Sequence, residues 1–426
     1  MEIKQTSSNK PRTTKIEIMS PVGSFESLQA AIQGGASSVY FGVGKLNMRS
    51  RSSQNFTLTD LKSICKTCND AGIKTYLTLN TIIYNNELDD LRETIEAARG
   101  AGISAIIASD LSVISQARQM NVGVHLSTQT NITNIEAVRF FSQFADVVVT
   151  ARELTLQQVH DIVVQIEEQN ITGPSGNLVQ IEIFVHGALC MAVSGKCYIS
   201  LDNLNTSANR GSCLQQCRRR YLVTDIEDGH QLEIDNEYIM SPKDLCTISF
   251  LDRIVAAGVS VFKIEGRARG PEYVKTVTMC YREAADAVLN GTYSKEKIEE
   301  WQKRLSSVYN RGFWEGYYLG RKMGEWTKRY GSQATRNKQY IGIVTNYFSN
   351  MKIAEIRIET HGFAQNDPLL IAGPTTGAVE FDVEEIRVNL QKVGQTIKGD
   401  AASIPVPELV RRGDKVFRWN EVNDPF

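Results

Sequence analysis

Short apolar runs and helical segments alternate along this chain from Lys15 to Gly291, and this constrains the fold more than any other feature. KIEIM, SVYFG, KTYLTLN, SAIIA, VGVHLS, DVVVT, VQIEIFVHG and VSVFKIEGR each read as a buried strand, because parallel strands covered on both faces become continuous apolar runs. A helical pattern follows each, the second after a loop and the seventh after a long insertion. Glycine-rich steps such as QGGA and GAGI close several helices where a left-handed residue is wanted. Eight such units predict a (β/α)8 TIM-like barrel. A doubly wound sheet is the alternative, but no G-x-G-x-x-G marks the first turn.

The pattern changes near Tyr340. IGIVTNYF, KIAEIRIET, DPLLIAG, AVEFDVEEIR and DKVFRW are short strands divided by turn residues, which predicts a small all-β barrel. The expected organisation is a disordered tail over 1–14, the barrel over 15–300, a basic aromatic connecting segment over 301–339, and the β domain over 340–426. A length of 426 residues with 42% apolar and 22% charged residues suits two folded domains and excludes a disordered chain. The first residues lack a signal-peptide core and no apolar run reaches membrane-spanning length, so a cytoplasmic protein without membrane partners is expected. The net charge of −1 means that any nucleic-acid partner must meet a local basic patch.

Barrel enzymes react at the carboxyl ends of their strands. The polar residues there are Asn80, Asp110, His125 with Gln129, Arg152 with Glu153, His186, and Lys263, Glu265 and Arg267 of KIEGR. Lys263 and Glu265 are two apart on a strand and face the same side, so they are expected to pair in the lumen. With Arg267 they would suit a small anion, since arginine grips carboxylates through a bidentate fork.

Beyond the seventh strand stand Cys190, Cys197, Cys213 and Cys217, spaced C-x6-C-x15-C-x3-C. Structural zinc favours tighter knuckles, and four cysteines would leave it no open position. Iron–sulfur clusters accept looser spacing, so a cluster is the better reading and zinc the alternative. Cys65 and Cys68 form a C-x-x-C inside the second helical pattern and read as small core residues, as does Cys280. Cys246 reads the same way, with a role as spare ligand held open.

Arg210, Arg218, Arg219, Arg220 and Tyr221 flank the last two cysteines, and KRLSSVYNRGFWEGYYLGRKMGEWTKRYGSQATRNK adds further cations, Arg311 among them, with interleaved aromatics. Such a segment either binds RNA, through phosphate contacts and base stacking, or docks the second domain.

EIFVHGALCMAVSGKCYIS, from Glu182 to Ser200, is similar to the signature of the peptidase U32 family. MSPVGSFESLQAAIQGGASSVYFG, RGSCLQQCRRRY, KIEGRARGPEYV and RGFWEGYYLG resemble that family too, and the resemblance spans nearly the whole chain. It implies one of two activities. One is a collagenase-like protease. The other is an oxygen-independent hydroxylase that holds an iron–sulfur cluster, a 4Fe-4S cluster by expectation, on the family's cysteines. Within the second group, the length and two-domain layout resemble the branch that makes 5-hydroxyuridine at the wobble position of tRNA with prephenate as hydroxyl source. Other members hydroxylate a cytidine of 23S ribosomal RNA or the ubiquinone ring.

Carried onto this sequence, the family cysteines fall on Cys190, Cys197, Cys213 and Cys217. The expectation is then that prephenate, a dicarboxylate, lies near Lys263, Arg267, Arg152, Asn80 and Gln129. His125, His186 or Glu265 would move protons. The anticodon loop would dock on Arg210, Arg218, Arg219, Arg220 and Arg311. A protease needs an activated nucleophile or a metal-bound water, and neither G-x-S-x-G nor H-E-x-x-H is present.

Overall fold

The computed structural model describes residues 15–51, 55–199, 201, 208–220, 223–224, 226–229, 231–232, 240–320, 325–327 and 331–422. The expected tail over 1–14, Tyr221 and parts of the basic segment lie outside them.

Eight parallel strands close the barrel: β1 (Glu17–Pro21), β2 (Ser38–Gly42), β3 (Lys74–Leu79), β4 (Ala105–Ala108), β5 (Gly123–Leu126), β6 (Val147–Val149), β7 (Gln180–Ala188) and β11 (Val261–Ile264). Closure comes from β11, which pairs with β1 on one side and β7 on the other. The intervening helices are α1 (Phe25–Gln33), α2 (Leu61–Asp70), α3 (Leu88–Ala101), α4 (Leu111–Gln119), α5 (Ile135–Phe141), α6 (Leu156–Glu168) and α7 (Leu251–Ala256); α8 (Pro271–Leu289) follows the last strand. Side-chain caps start several of them. Ser24 accepts from the Ser27 amide, Asn134 from Ala137, and Thr155 from Gln158. Asp110 caps α4 through the Ser112 amide and also accepts from the Ile83 amide, so this strand-end carboxylate serves the backbone.

Strand alternation divides the barrel into two cores. Ile18, Val39, Phe41 and Leu77 point outward into the large cluster against the helices. Met19, Tyr40, Tyr76, Ile107 and Val147 point inward and form a smaller one. Cys65, Cys68 and Cys280 are buried in the outer cluster, as the sequence indicated.

The insertion after β7 contains a short ribbon, β8 (Val223–Thr224) and β9 (Gln231–Leu232), and returns through β10 (Asp244–Cys246). β10 lies antiparallel to the end of β7, and β12 (Phe313–Trp314) adds to it in parallel. Gly187 permits this junction: its φ is +102°, and a Cβ there would collide with the Glu265 carbonyl oxygen.

The aromatics of the connecting segment mostly pack on the barrel. α9 (Lys295–Ser307) crosses the expected boundary at 300, and Trp301, Trp314 and Tyr318 are buried in the outer cluster. Tyr318 donates to the Phe184 carbonyl at 2.7 Å, and the Trp301 indole to Glu283 at 2.8 Å. Docking therefore accounts for these rings, which are not available to stack on bases.

The C-terminal domain opens at Arg336 rather than Tyr340. It is an eight-stranded antiparallel sheet of β13 (Arg336–Phe348), β14 (Ile353–Ile358), β15 (Pro368–Gly373), β16 (Gly377–Asp382), β17 (Arg387–Val388), β18 (Gln391–Lys392), β19 (Ala401–Pro405) and β20 (Lys415–Glu421). The strand order is β16-β15-β20-β13-β14-β19-β17-β18 around a core of its own. The domain sits on the flank of the barrel. Gln33 of α1 donates to the Thr376 carbonyl and accepts from the Ala378 amide, at 2.9 and 3.0 Å. Lys275 of α8 reaches the Ala378 carbonyl at 2.7 Å. No helix among the described residues is long and apolar enough to cross a membrane.

Candidate functional site

A cavity of about 730 Å³, counting its open mouth, lies at the carboxyl ends of the strands. Its wall carries Asn80, Gln129, Arg152, Lys263, Glu265 and Arg267, all expected there from sequence. Four cationic side chains (Arg49, Arg152, Lys263 and Arg267) face one carboxylate, Glu265. Sequence reasoning missed Arg49. It lies in the loop after β2, where L-N-M-R-S-R-S is a basic run at the active end of a strand, and that is the signal that could have found it.

The pairing inside KIEGR differs from expectation. Lys263 and Glu265 share the lumen but not each other: a register shift with β7 separates them. Lys263 bonds Glu182 at 2.7 Å, below the cavity, with both side chains buried. Glu265 accepts from Arg49 at 3.0 Å and from the Tyr40 hydroxyl at 3.1 Å. Burial alone would raise the Glu265 pKa, but Arg49, Arg267 and Arg152 hold it below the usual carboxylate range. Arg267 is fixed by Thr78 at 2.9 Å and Asn47 at 3.2 Å. Asn80 and Gln129 bond each other through their amides at 2.8 Å. Arg152 stacks on Phe184, 4.1 Å from guanidinium carbon to ring centroid, and its buried Nε finds no hydrogen-bond partner. A buried donor left unpaired costs about 1–3 kcal/mol, so it marks a place for an acceptor.

Two expected proton carriers stand away from the wall. His125 lies in the barrel interior, 4.3 Å from the Tyr76 ring and 3.9 Å from Glu182 Oε2. His186 sits among Tyr273, Tyr281 and Phe313, with Tyr281 Oη 3.4 Å from its Nδ1. Burial pushes His125 down to about 4 and His186 to about 3. The unfolded chain takes up these protons near pH 6.5 while the folded one refuses them, so stability falls as pH drops from about 6.5 towards 4. The expected loss is on the order of a few kcal/mol, measured by urea denaturation at pH 7.5 and 5, and it shrinks in His186→Phe. Equal stability at both values would overturn it.

The cysteine insertion forms the remaining wall. Cys190, Ser194, Gly195 and Cys213 line the same cavity. Gly211, at φ +83°, lets the chain pass against Ser50 and Asn47, where a side chain would collide. None of the four candidate cysteines is joined in a disulfide. They gather closely: burial and the thiols of Cys190, Cys213 and Cys197 push Cys217 up to about 11, against the pull of Arg218. Cys246 is apart from them, opposite His186 on the β7–β10 ladder and 3.9 Å from the Tyr281 hydroxyl. No three His, Cys, Asp or Glu side chains among the described residues close to single-ion distances. Four thiols are soft donors, the set that either an iron–sulfur cluster or a zinc ion takes.

The expected RNA-binding arginines divide. Arg218 is turned inward as a strut, donating to the Leu189 carbonyl at 2.8 Å, to Ser241 at 3.0 Å and to the Pro242 carbonyl. Arg311 is buried on Asp244 at 3.2 Å and Gln215 at 3.5 Å. Arg210 forks onto Glu87 at 2.7 and 2.8 Å and lies over Tyr84. These three are occupied in holding the insertion and its neighbouring loop, because desolvated guanidinium groups need acceptors. Arg219 and Arg220 are exposed, and so are Arg51 and Lys196. Tyr198, 82% exposed, stands in the same cysteine loop.

This is a TIM-like barrel whose cysteine-bearing insertion walls a cationic cavity at the catalytic end. The chain belongs to Peptidase family U32, whose model matches residues 23–328. It is 57% identical to a protein named collagenase from Porphyromonas gingivalis, over 95% of this chain and 98% of that one. It is 29% identical to tRNA hydroxylation protein P1 of Bacillus subtilis, over 88% and 87%. With the 23S rRNA 5-hydroxycytidine synthase of Escherichia coli it shares 34% identity over 65% of this chain but 40% of that one.

Proposed function

We propose that this protein hydroxylates the wobble uridine of tRNA to 5-hydroxyuridine, with prephenate as hydroxyl source and an iron–sulfur cluster on Cys190, Cys197, Cys213 and Cys217. The observation that carries the reading is a single cavity bounded by four cations and by two of those cysteines. A dicarboxylate fits this charge. Arg152, with its unpaired Nε, is the first anchor, and Arg267 and Lys263 supply the second. Phe184 and Tyr40 add aromatic surface to the same wall. Glu265, held ionised by its arginines, is the proton acceptor on the wall. The cluster, when bound, would supply redox-active iron beside the cavity. The B. subtilis relative covers this chain at nearly full length, while the ribosomal RNA enzyme is much longer, which favours tRNA.

Arg219, Arg220 and Lys196 of the cysteine insertion and Arg51 of the loop after β2 present exposed positive charge, with Tyr198 available to stack on a base. Reversing Arg219 and Arg220 to glutamate is expected to weaken tRNA binding. It should also flatten its salt dependence by about 0.7 in the log–log slope for each phosphate no longer neutralised. Unchanged binding at every salt concentration would remove this face from the reading.

The peptidase reading is kept alive by the 57% relative named collagenase. Against it, neither His125 nor His186 is on the wall, so among the described residues no imidazole lines the cavity with Ser127, Ser194 or Cys190. The deciding experiment pairs nucleoside analysis of tRNA from a deletion strain with digestion of denatured collagen by the anaerobically purified protein. Loss of 5-hydroxyuridine with collagen intact supports the hydroxylase. Normal nucleosides with collagen cleaved establish the peptidase.

A further inference from the structure

We infer that Arg49 couples the anion cavity to the cysteine site, one guanidinium serving both a cysteine sulfur and the wall carboxylate; this rests on the cluster reading above. Its Nη2 donates to Glu265 Oε1 at 3.0 Å, and its Nη1 points to Cys213 Sγ at 3.9 Å. Both partners line the cavity, as Arg49 does.

The placement is built by the backbone. The Arg49 amide donates to Asn47 Oδ1 at 3.1 Å and the neighbouring Met48 amide to Asn80 Oδ1 at 3.2 Å. On the far side, Ser50 Oγ and the Arg51 amide both donate to the Gly211 carbonyl, at 3.2 and 3.3 Å, two residues before Cys213. The loop after β2 and the cysteine turn are therefore laced together, and Arg49 is held at the seam. The second oxygen of Glu265 is fixed by Tyr40, so the carboxylate is itself anchored.

The chemistry follows from the fork. Hydrogen bonds and positive charge at a cluster's sulfurs favour its reduced, more negative state, and so raise its potential. A dianion arriving among Arg152, Arg267 and Lys263 competes with Glu265 for the same guanidinium. Ligand binding and cluster potential are then linked through one side chain, and linkage of this kind is reciprocal. Lysine could keep the charge but could not span both partners. Arg49 is a positioning residue in this account; it transfers nothing itself.

The test is EPR-monitored redox titration of anaerobically purified wild type, Arg49→Met and Arg49→Lys, each with and without saturating prephenate and each with its iron content measured. In wild type, prephenate is expected to shift the midpoint. In Arg49→Met the midpoint should move to more negative potential and the prephenate shift should vanish. Arg49→Lys should recover part of the first effect and none of the second, and it stands alone should the methionine variant fail to fold. Iron-loaded variants with the wild-type midpoint and the wild-type prephenate shift would overturn the assignment while leaving the cluster intact. Wild type without iron would overturn the cluster reading and the assignment with it.

Discussion

Serine at Cys190 is expected to strip the anaerobically purified protein of its iron and brown absorbance and to abolish tRNA hydroxylation, with the fold retained. The side chain lies on the exposed lip of the insertion, not in the core, so the substitution removes a thiolate donor without opening a cavity. The same outcome is expected at Cys213, which shares the wall. Three controls sharpen it. Cys68 and Cys280 are buried among apolar side chains, and serine there should lower stability but leave iron bound. Cys246→Ser tests the spare-ligand reading. That thiol faces Tyr281 and the His186 strand, so iron should stay bound. Iron analysis and nucleoside analysis on the same preparations check all of this. Full iron occupancy and full hydroxylation in Cys190→Ser would sink the cluster assignment.

The second large effect lies beneath the cavity. Replacing Glu182 by glutamine, or Lys263 by methionine, is expected to destabilise the barrel by about 3–5 kcal/mol, because each leaves the other member of a buried ion pair without its counter-charge. The pair is 2.7 Å long and both side chains are almost fully shielded from water. The surroundings offer little relief: Glu182 Oε2 has no hydrogen-bond partner and His125, 3.9 Å away, is held neutral by burial. Against a total stability of about 5–15 kcal/mol, such a loss is severe. Replacing both by methionine should recover most of it, since an apolar pair of similar volume costs little. Urea denaturation of the two single variants and the double variant measures the coupling. Single-variant losses below about 1 kcal/mol would mean that water reaches the pair.

A TIM barrel usually fills its interior with branched apolar layers. Here Tyr40, Tyr76, His125, Glu182 and Lys263 take that space. Such a polar interior costs stability, and proteins tolerate that cost where an active site needs fixed charges. The floor of the cavity is preorganised in this sense: Lys263 and Glu265 are each held by a different partner before any ligand arrives.

What the sequence determined by itself was the local order. Eight apolar runs from KIEIM to VSVFKIEGR became the eight barrel strands, and the seventh carried its insertion as read. The expected wall residues of KIEGR, with Asn80, Gln129 and Arg152, reached one cavity, because position at a strand end is a property of the chain alone. Tertiary structure decided the partners. The register of β11 against β7 gave Lys263 to Glu182 and left Glu265 to Arg49, from a loop more than two hundred residues away in sequence. The same folding turned Arg218 and Arg311 inward, where each found oxygen acceptors, and left Arg219 and Arg220 exposed. Adjacent arginines in RRR are equivalent as text. Desolvation makes them different, because a guanidinium enters the interior only where the fold has already placed carbonyls and carboxylates to receive it.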